Sequence, residues 1–506
     1  MLRVSIKFRR LRDRLMRCNA ITLCIVLAIV TVTVVIRGLT NGDEDDWFKF
    51  SNEDISAPSD SVFFEGCIDT HEYLRDDQYQ KMNASFVMLT RNEELNDVIK
   101  SVRSIEEHFN QWFQYPYVFL NDVPFSEEFQ TRLRSESRAS MEFGTLNKLD
   151  WEFPEKIRES FAFQHALNDQ GDRGIMYGSE ESYHKMCRFY SGLFYKHPLV
   201  QKFEWYWRLE PDVEFFCDIT YDPFLEMART NKKYGFTVIL PELYWTVANL
   251  FRYTRSFIRQ NELKVGSLWN LFTENYQILE TEDSLLASRV NCDDDVEPRL
   301  SEKVAIDHML DTGNPEDEMG LRYLIGRSKA KAPIQPDKFD DQEYNLCHFW
   351  SNFEIARVDV FNNELYNSYF QYLEEQGGFW RERWGDAPVH SLGLGMLLDI
   401  EDVHYFRDIG YRHSTIQHCP KNNLHGQLPY TPAEKRFSRH SWNSPSEGFE
   451  TGTGCRCRCD RRKSDIEDTA FHCMDRWTEL LLTDREPPIN ALEVEQRIKF
   501  DYLHSN

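Results

Sequence analysis

Trp205-Tyr206-Trp207-Arg208-Leu209-Glu210-Pro211-Asp212 decides how the chain is read. Aromatic and apolar residues run into two carboxylates with a proline between them. Pro211 has no backbone N–H and a fixed φ, so a strand should stop here. Glu210 and Asp212 then stand at the carboxyl end of that strand, where open α/β sheets hold their ligands. Carboxylate oxygens suit hard divalent cations, and a bound cation can hold a diphosphate in turn. Arg208 can add charge-assisted bonds to phosphate. In so acidic a chain an acid-x-acid triplet alone also reads as an exposed turn. The aromatic strand in front of it favours a site.

Upstream, Phe86 to Thr90 reads as a buried strand, followed by Arg91-Asn92. Leu95, Val98, Ile99, Val102, Ile105 and Phe109 then share one helical face. Tyr117 to Leu120 is a second strand, ending in Asn121-Asp122. This strand–helix–strand opening is that of a nucleotide-binding α/β sheet. It lacks a glycine-rich phosphate loop, so a metal would have to do that work. A helix is expected over 181–195, with Ser179 or Ser182 as cap.

Downstream, Phe236 to Leu240 reads as one buried strand with Pro241-Glu242 at its end, and 256–279 reads as helical. Residues 280–342 are charged and poor in strand signals, and read as a partly helical insertion. Apolar density returns over 344–355. A helix over 360–376 ends at Gly377-Gly378, Gly385-Asp386 opens another through Leu398, and 403–406 is a last short strand. After about residue 430 the pattern weakens, and no internal repeat is visible.

The chain has 506 residues and a net charge of −24, which argues against a nucleic-acid partner. Seven basic residues lie between Arg3 and Arg17, and Ala20 to Ile36 then runs without a charge. This reads as a cytoplasmic tail over 1–19 and a signal anchor over 20–36, with the remainder lumenal. A cleaved signal peptide is the rival, but no small-x-small site follows the apolar run. Residues 37–82 read as a stem, 83–430 as the catalytic domain and 431–506 as a C-terminal extension. Asn83-Ala84-Ser85 is a glycosylation sequon, consistent with a lumenal setting.

Two further acids need roles. Glu354 follows Trp350-Ser351-Asn352-Phe353, a run suited to a sugar-sized pocket, and Asp386 sits where a glycine turn meets a helix. Buried acids are costly unless paired or functional, and Glu354 reads equally well as a structural acceptor. The residues alone point to lumenal, metal-assisted transfer or hydrolysis on a sugar.

Several blocks carry this further. They include Arg91-Asn92, Phe119-Leu120-Asn121-Asp122, Tyr183 with Met186-Cys187-Arg188-Phe189, and Tyr206 to Pro211. Phe216-Cys217-Asp218-Ile219, Cys347 to Glu354, Glu382 to Ser391 and Asp408-Ile409-Gly410-Tyr411 follow in order. Together they resemble the fungal α-1,2-mannosyltransferase family, glycosyltransferase family 15, over about 85–430, interrupted by the insertion.

The resemblance implies a single Rossmann-like α/β domain of glycosyltransferase A type, with a mixed central sheet, preceded by one transmembrane helix. It implies a single-pass type II protein of the Golgi membrane that uses Mn²⁺. Mannose would pass from GDP-mannose to a mannose-terminated glycan or glycoprotein with retention, forming α-1,2 linkages in N- or O-glycosylation. Glu210 and His413 would bind the metal, with Asp212 a further candidate. Arg91, Tyr183 and Arg208 would serve the donor. Glu354 would be the carboxylate nearest the anomeric carbon, and Asp386 a nearby acid on the acceptor side. A mannosylphosphate transferase on the same scaffold and a non-catalytic lumenal lectin are the competing readings.

Cys187, Cys217, Cys347 and Cys419 fall within or beside these blocks, and four cysteines allow three pairings. Cys455, Cys457, Cys459 and Cys473 of the tail read as disulfide partners, with zinc as the alternative.

Overall fold

The computed structural model of the chain describes residues 68–275, 338–339, 342–420, 454–458, 466 and 472–481. The expected anchor at 20–36, most of the stem and nearly all of the 280–342 insertion lie outside these residues. Among the described residues no helix is long and apolar enough to cross a membrane.

The strands in chain order begin with β1 (Ala84–Leu89), β2 (Tyr117–Asn121), β3 (Met141–Thr145), β4 (Trp205–Arg208) and β5 (Val213–Phe215). They continue with β6 (Tyr234–Phe236), β7 (Ile239–Pro241), β8 (Thr273–Asn275), β9 (Lys338–Phe339) and β10 (Gln342–Tyr344). The last are β11 (Cys347–Phe349), β12 (Glu354–Arg357), β13 (Val403–Tyr405), β14 (Tyr411–His413) and β15 (Ile416–His418). Seven of them form the main sheet in the order β13-β6-β12-β4-β1-β2-β3. β1 runs parallel to β2 and β4, whereas β12 runs antiparallel to β4 and β6, so the sheet is mixed as expected.

β4 lies at the middle of this sheet and is buried along its whole length. Side chains alternate between the two faces of a strand. Trp205 and Trp207 enter the main apolar cluster, where the Trp207 ring lies 5.3 Å from both Phe86 and Phe353. Tyr206 and Arg208 therefore project to the opposite face. Leu209 still donates to the Val87 carbonyl, and the chain then turns through Pro211 and Asp212. Asp212 sits at φ +59°, a left-handed conformation that aspartate tolerates better than most residues.

Three local expectations are corrected, and one strand was missed. The single strand expected over 236–240 is two strands: β6 belongs to the main sheet, and β7 pairs with β11. Period-two alternation does not reveal a change of partner. The helix expected from 181 spans Glu181–Gly192, but Glu180 holds the cap position, with no side-chain cap bond from Ser179 or Ser182. The helix expected from Ser256 starts earlier and spans Leu250–Gln260. β3 was not anticipated at all. The helix Glu364–Gln376 does end as expected, on Gly377 at φ +73°, the left-handed cap that glycine adopts without strain.

The cysteines also differ from expectation. Cys187 is free and buried, so the four core cysteines do not pair among themselves. Cys217 bonds Cys457 and Cys347 bonds Cys473, across 240 and 126 residues of sequence. Cys419 and Cys455 are disulfide-bonded as well. This removes the zinc alternative for Cys455, Cys457 and Cys473. Both described tail segments are fastened to the core: Asp218 bridges to Cys455, and Trp477 packs 4.9 Å from Phe236.

Candidate active site

Arg208 is the hub of the polar face. Its side chain is only 3% exposed, and a buried cation needs compensating charge. Its Nε donates to Glu210 Oε1 at 2.7 Å, and its Nη1 donates to Ser351 Oγ at 3.2 Å and to Asp386 Oδ2. Ser351 Oγ in turn donates to Asp386 Oδ2 at 2.6 Å. The guanidinium lies 3.5 Å from the centroid of the Tyr190 ring, a cation–π contact.

Asp386 opens the helix Asp386–Leu397, where the helix dipole favours an anion. Burial acts to raise its pKa, but the charges of Arg208 and His390 and the bond from Ser351 outweigh it, so the carboxyl stays below its usual range. Glu210 behaves differently. Burial pushes its carboxyl up to about 7 in spite of Arg208, with Asp386 and Glu94 adding to the rise. One guanidinium thus stabilises two acids unequally.

Strand pairing brings His413 to the same place. β14 lies antiparallel to β5, with His413 opposite Val213, the first residue after the Glu210–Asp212 turn. Burial and Arg208 both lower the His413 pKa, which favours the neutral imidazole that a cation requires. His413 Nδ1 lies 3.0 Å from the Asn352 amide. The Asn352 amide nitrogen faces the ring and donates to Nδ1, which places the proton of the neutral imidazole on Nε2; turning the amide over would move that proton to Nδ1 and give Nε2 the lone pair a cation needs. A carboxylate and a neutral imidazole fit a divalent cation. Among the described residues no group of three or more metal-ligating side chains occurs. Phosphate and water oxygens would have to complete the shell, as they do for Mg²⁺-type ions in nucleotide sites. Asp212, the further candidate, pairs with Lys100, and its side chain is half-exposed.

β12 sets Glu354 directly opposite Arg208. Its carboxylate is fully buried and both oxygens are engaged. Tyr206 OH donates to Oε1 at 2.8 Å, Tyr234 OH to Oε2 at 3.1 Å, and His390 Nδ1 stands 3.2 Å from Oε2. His390 Nε2 donates to the Tyr190 carbonyl at 2.8 Å, which links Glu354 to the ring beneath Arg208. Tyr183 stacks flat on Tyr177 at 4.5 Å, and the Arg383 guanidinium lies 5.4 Å from its ring. Burial, with Cys187 and Asp386 nearby, raises the Tyr183 phenol and keeps it protonated. Arg91 stands apart: it is 65% exposed and pairs with Glu94 at 2.7 Å.

Arg208, Glu210, Asp386 and Glu354 are therefore brought together, with His413 beside them through the sheet register. Sequence reasoning assigned no role to Ser351, Asn352 or His390, although all three stood inside the blocks quoted. Tyr190 carried no signal of any kind, since an aromatic residue on a helix looks the same whether it fills a core or supports a cation.

An acidic strand end beside a buried arginine on a mixed sheet has the chemistry to hold a cation and a diphosphate. The sequence pattern of the glycolipid 2-alpha-mannosyltransferase family matches residues 44–279 and 322–447. The chain belongs to that family and is a mannosyltransferase. It is 54% identical over 502 residues to the probable mannosyltransferase KTR5 of Saccharomyces cerevisiae, covering 96% of each chain. It is 58% identical over 439 residues to the probable mannosyltransferase KTR7 of the same yeast, covering 85% of this chain and 83% of the relative. Core-mannan synthase A (CmsA/Ktr4) from Aspergillus fumigatus, solved in a Mn/GDP form, is 34% identical with a TM-score of 0.53 over 71% of this chain and 79% of that one. The break in the family match falls within the stretch read as an insertion.

Proposed function

We propose that the protein transfers mannose from GDP-mannose to a mannose-terminated glycan of a glycoprotein, with retention, forming α-1,2 linkages. The observation that carries this is Arg208, buried between Glu210 and Asp386 at the end of β4. Glu210 and His413 would hold Mn²⁺, with Asp212 as a further candidate. When bound, the cation supplies the charge that stabilises the leaving diphosphate. Arg208 adds a fixed positive charge in a site where little reorganisation is needed. Tyr183 and the exposed Arg91 complete the donor side.

Asp386 is held ionised, so toward an acceptor hydroxyl it accepts a hydrogen bond and orients the nucleophile. Glu354 supports the positive charge that develops at the anomeric carbon. Retention arises by double displacement or by front-face attack, and the engagement of both Glu354 oxygens favours the front-face route. The uncharged run 20–36 is the anchor of a single-pass type II protein of the Golgi membrane, with residues after Arg37 lumenal.

The test is incubation with labelled GDP-mannose, methyl α-mannoside and Mn²⁺. A neutral α-1,2-linked disaccharide is expected. An acid-labile anionic product replaces this reading with mannosylphosphate transfer, and absence of both products and of GDP-mannose hydrolysis overturns it.

A further inference from the structure

Few large apolar side chains of the described residues reach solvent. Trp245 is 53% exposed and Tyr177 47%. Single exposed apolar residues are normal, so exposure alone says little. These two rings are distinguished by being held. The Arg173 guanidinium lies 5.7 Å from the Trp245 ring centroid, and Tyr244 packs edge-on against it at 5.3 Å and 79°. Tyr177 lies on Tyr183 with the rings 19° apart, and its backbone is in the left-handed region at φ +58°. Leu149 and Phe161 are more exposed, and Met176 and Leu243 stand beside the two rings in sequence, at 57% and 51%.

Trp245 lies in the short helical turn Tyr244–Thr246, just after Glu242. Glu242 pairs with Arg383 at 3.6 Å, and Arg383 covers the Tyr183 ring. Arg383 N–H also donates to the Thr246 carbonyl at 3.2 Å, so the turn that carries Trp245 adjoins Arg383, three residues before Asp386. Charged groups interleave the rings here, Arg173 at Trp245 and Arg383 at Tyr183. A protein partner or a membrane would need a contiguous apolar patch. A carbohydrate presents the complementary surface, an apolar C–H face rimmed by hydroxyls. Those polarised C–H groups meet the electron-rich face of an aromatic ring, and the hydroxyls find Arg173 beside it.

We propose that Trp245, steadied by Arg173, is a second sugar subsite, which holds a pyranose of the acceptor glycan beyond the residue being mannosylated. A ring already fixed in place loses little freedom when a sugar stacks on it. The protein is then selective for acceptors of two or more sugars. This inference depends on the transfer reading given above.

The experiment compares methyl α-mannoside with α-linked mannotriose as acceptors for the full-length protein. The unaltered protein is expected to show a KM for mannotriose at least about fivefold lower. Trp245→Ala should raise the mannotriose KM by about 5- to 20-fold and leave methyl α-mannoside transfer and GDP-mannose hydrolysis unchanged. Trp245→Phe, which keeps a stacking face, should recover most of the loss. Equal effects on both acceptors, or none on either, overturn the subsite. If the unaltered protein mannosylates neither acceptor, the transfer reading fails. Mannotriose titration followed by saturation-transfer NMR then judges the subsite alone. Binding that Trp245→Ala abolishes sustains it, and absence of binding to the unaltered protein overturns it.

Discussion

Glu210 and Glu354 both feel the charge of Arg208, but their surroundings differ, and so should their failures. Glu210→Gln removes the anionic ligand from the metal site. Mn²⁺ should bind more weakly, and the activity lost should be partly recovered by raising Mn²⁺. Glu354→Gln leaves an acceptor for one tyrosine but deprives His390 of its anionic neighbour. Its kcat should fall by about 10- to 100-fold with GDP affinity unchanged, and extra Mn²⁺ should not help. Measuring kcat, GDP affinity and Tm for each variant separates these cases, and equal loss of folding in both would withdraw their functional assignment. Asp408 offers a test by pH. Burial pushes its carboxyl up to about 7, against the Tyr221 hydroxyl that donates to it at 2.7 Å. In the unfolded chain it titrates near about 4. Between those values the folded state holds a proton that the unfolded state has lost. This group's contribution to stability is therefore largest below about pH 4 and is lost as pH rises through about 7. Asp408→Asn lacks that slope, so its Tm should improve relative to the parent between pH 5 and pH 8. Parallel curves would show that the carboxyl is ordinary.

Close approach between elements is clearest at Gly192, the last residue of the helix Glu181–Gly192. A Cβ there would meet the Phe370 ring at 2.1 Å, a clash with a buried aromatic of the helix Glu364–Gln376. Gly192→Ala should destabilise the fold by about 1–3 kcal/mol, read as a fall in Tm, with donor affinity unchanged at low temperature. Elements of this kind were legible in the sequence where periodicity was strong: β1, β2, β4 and the helix Asp386–Leu397 all appear close to their expected bounds. β3 was not, because Met141-Glu142-Phe143-Gly144-Thr145 mixes a charge and a glycine into five residues and resembles a loop. The split of β6 from β7 depends on which strand lies alongside, which no local pattern encodes. The site shows the same division. Arg208 and Glu210 could be read from the end of an apolar strand, whereas His413 came from family resemblance, since its place depends on the pairing of β14 with β5.

At the level of the whole chain, the described tail is part of the catalytic body. The helix His472–Leu481 carries Cys473, bonded to Cys347, and Trp477, whose ring lies 4.9 Å from Phe236 and 6.4 Å from Phe349. Cross-linking residues 126 apart restricts the unfolded chain by about 5 kcal/mol in the loop-entropy limit, and measured gains usually fall between about 2 and 5. Serine at both Cys347 and Cys473 should therefore lower Tm by several degrees, and an unchanged Tm would show that this bond adds nothing. Neither serine touches the metal ligands, so Mn²⁺ dependence should persist in whatever protein remains folded.

Ribosomes deliver a chain from its first residue onward, and this one keeps its fastening for late delivery. Phe236 and Phe349 are made long before Trp477, so their shared face is complete only when the helix His472–Leu481 arrives. Until then Cys347 has no bonding partner. A product interrupted before residue 472 would carry an open aromatic surface and an unpaired thiol, two marks by which an oxidising secretory compartment can recognise and hold back an unfinished enzyme.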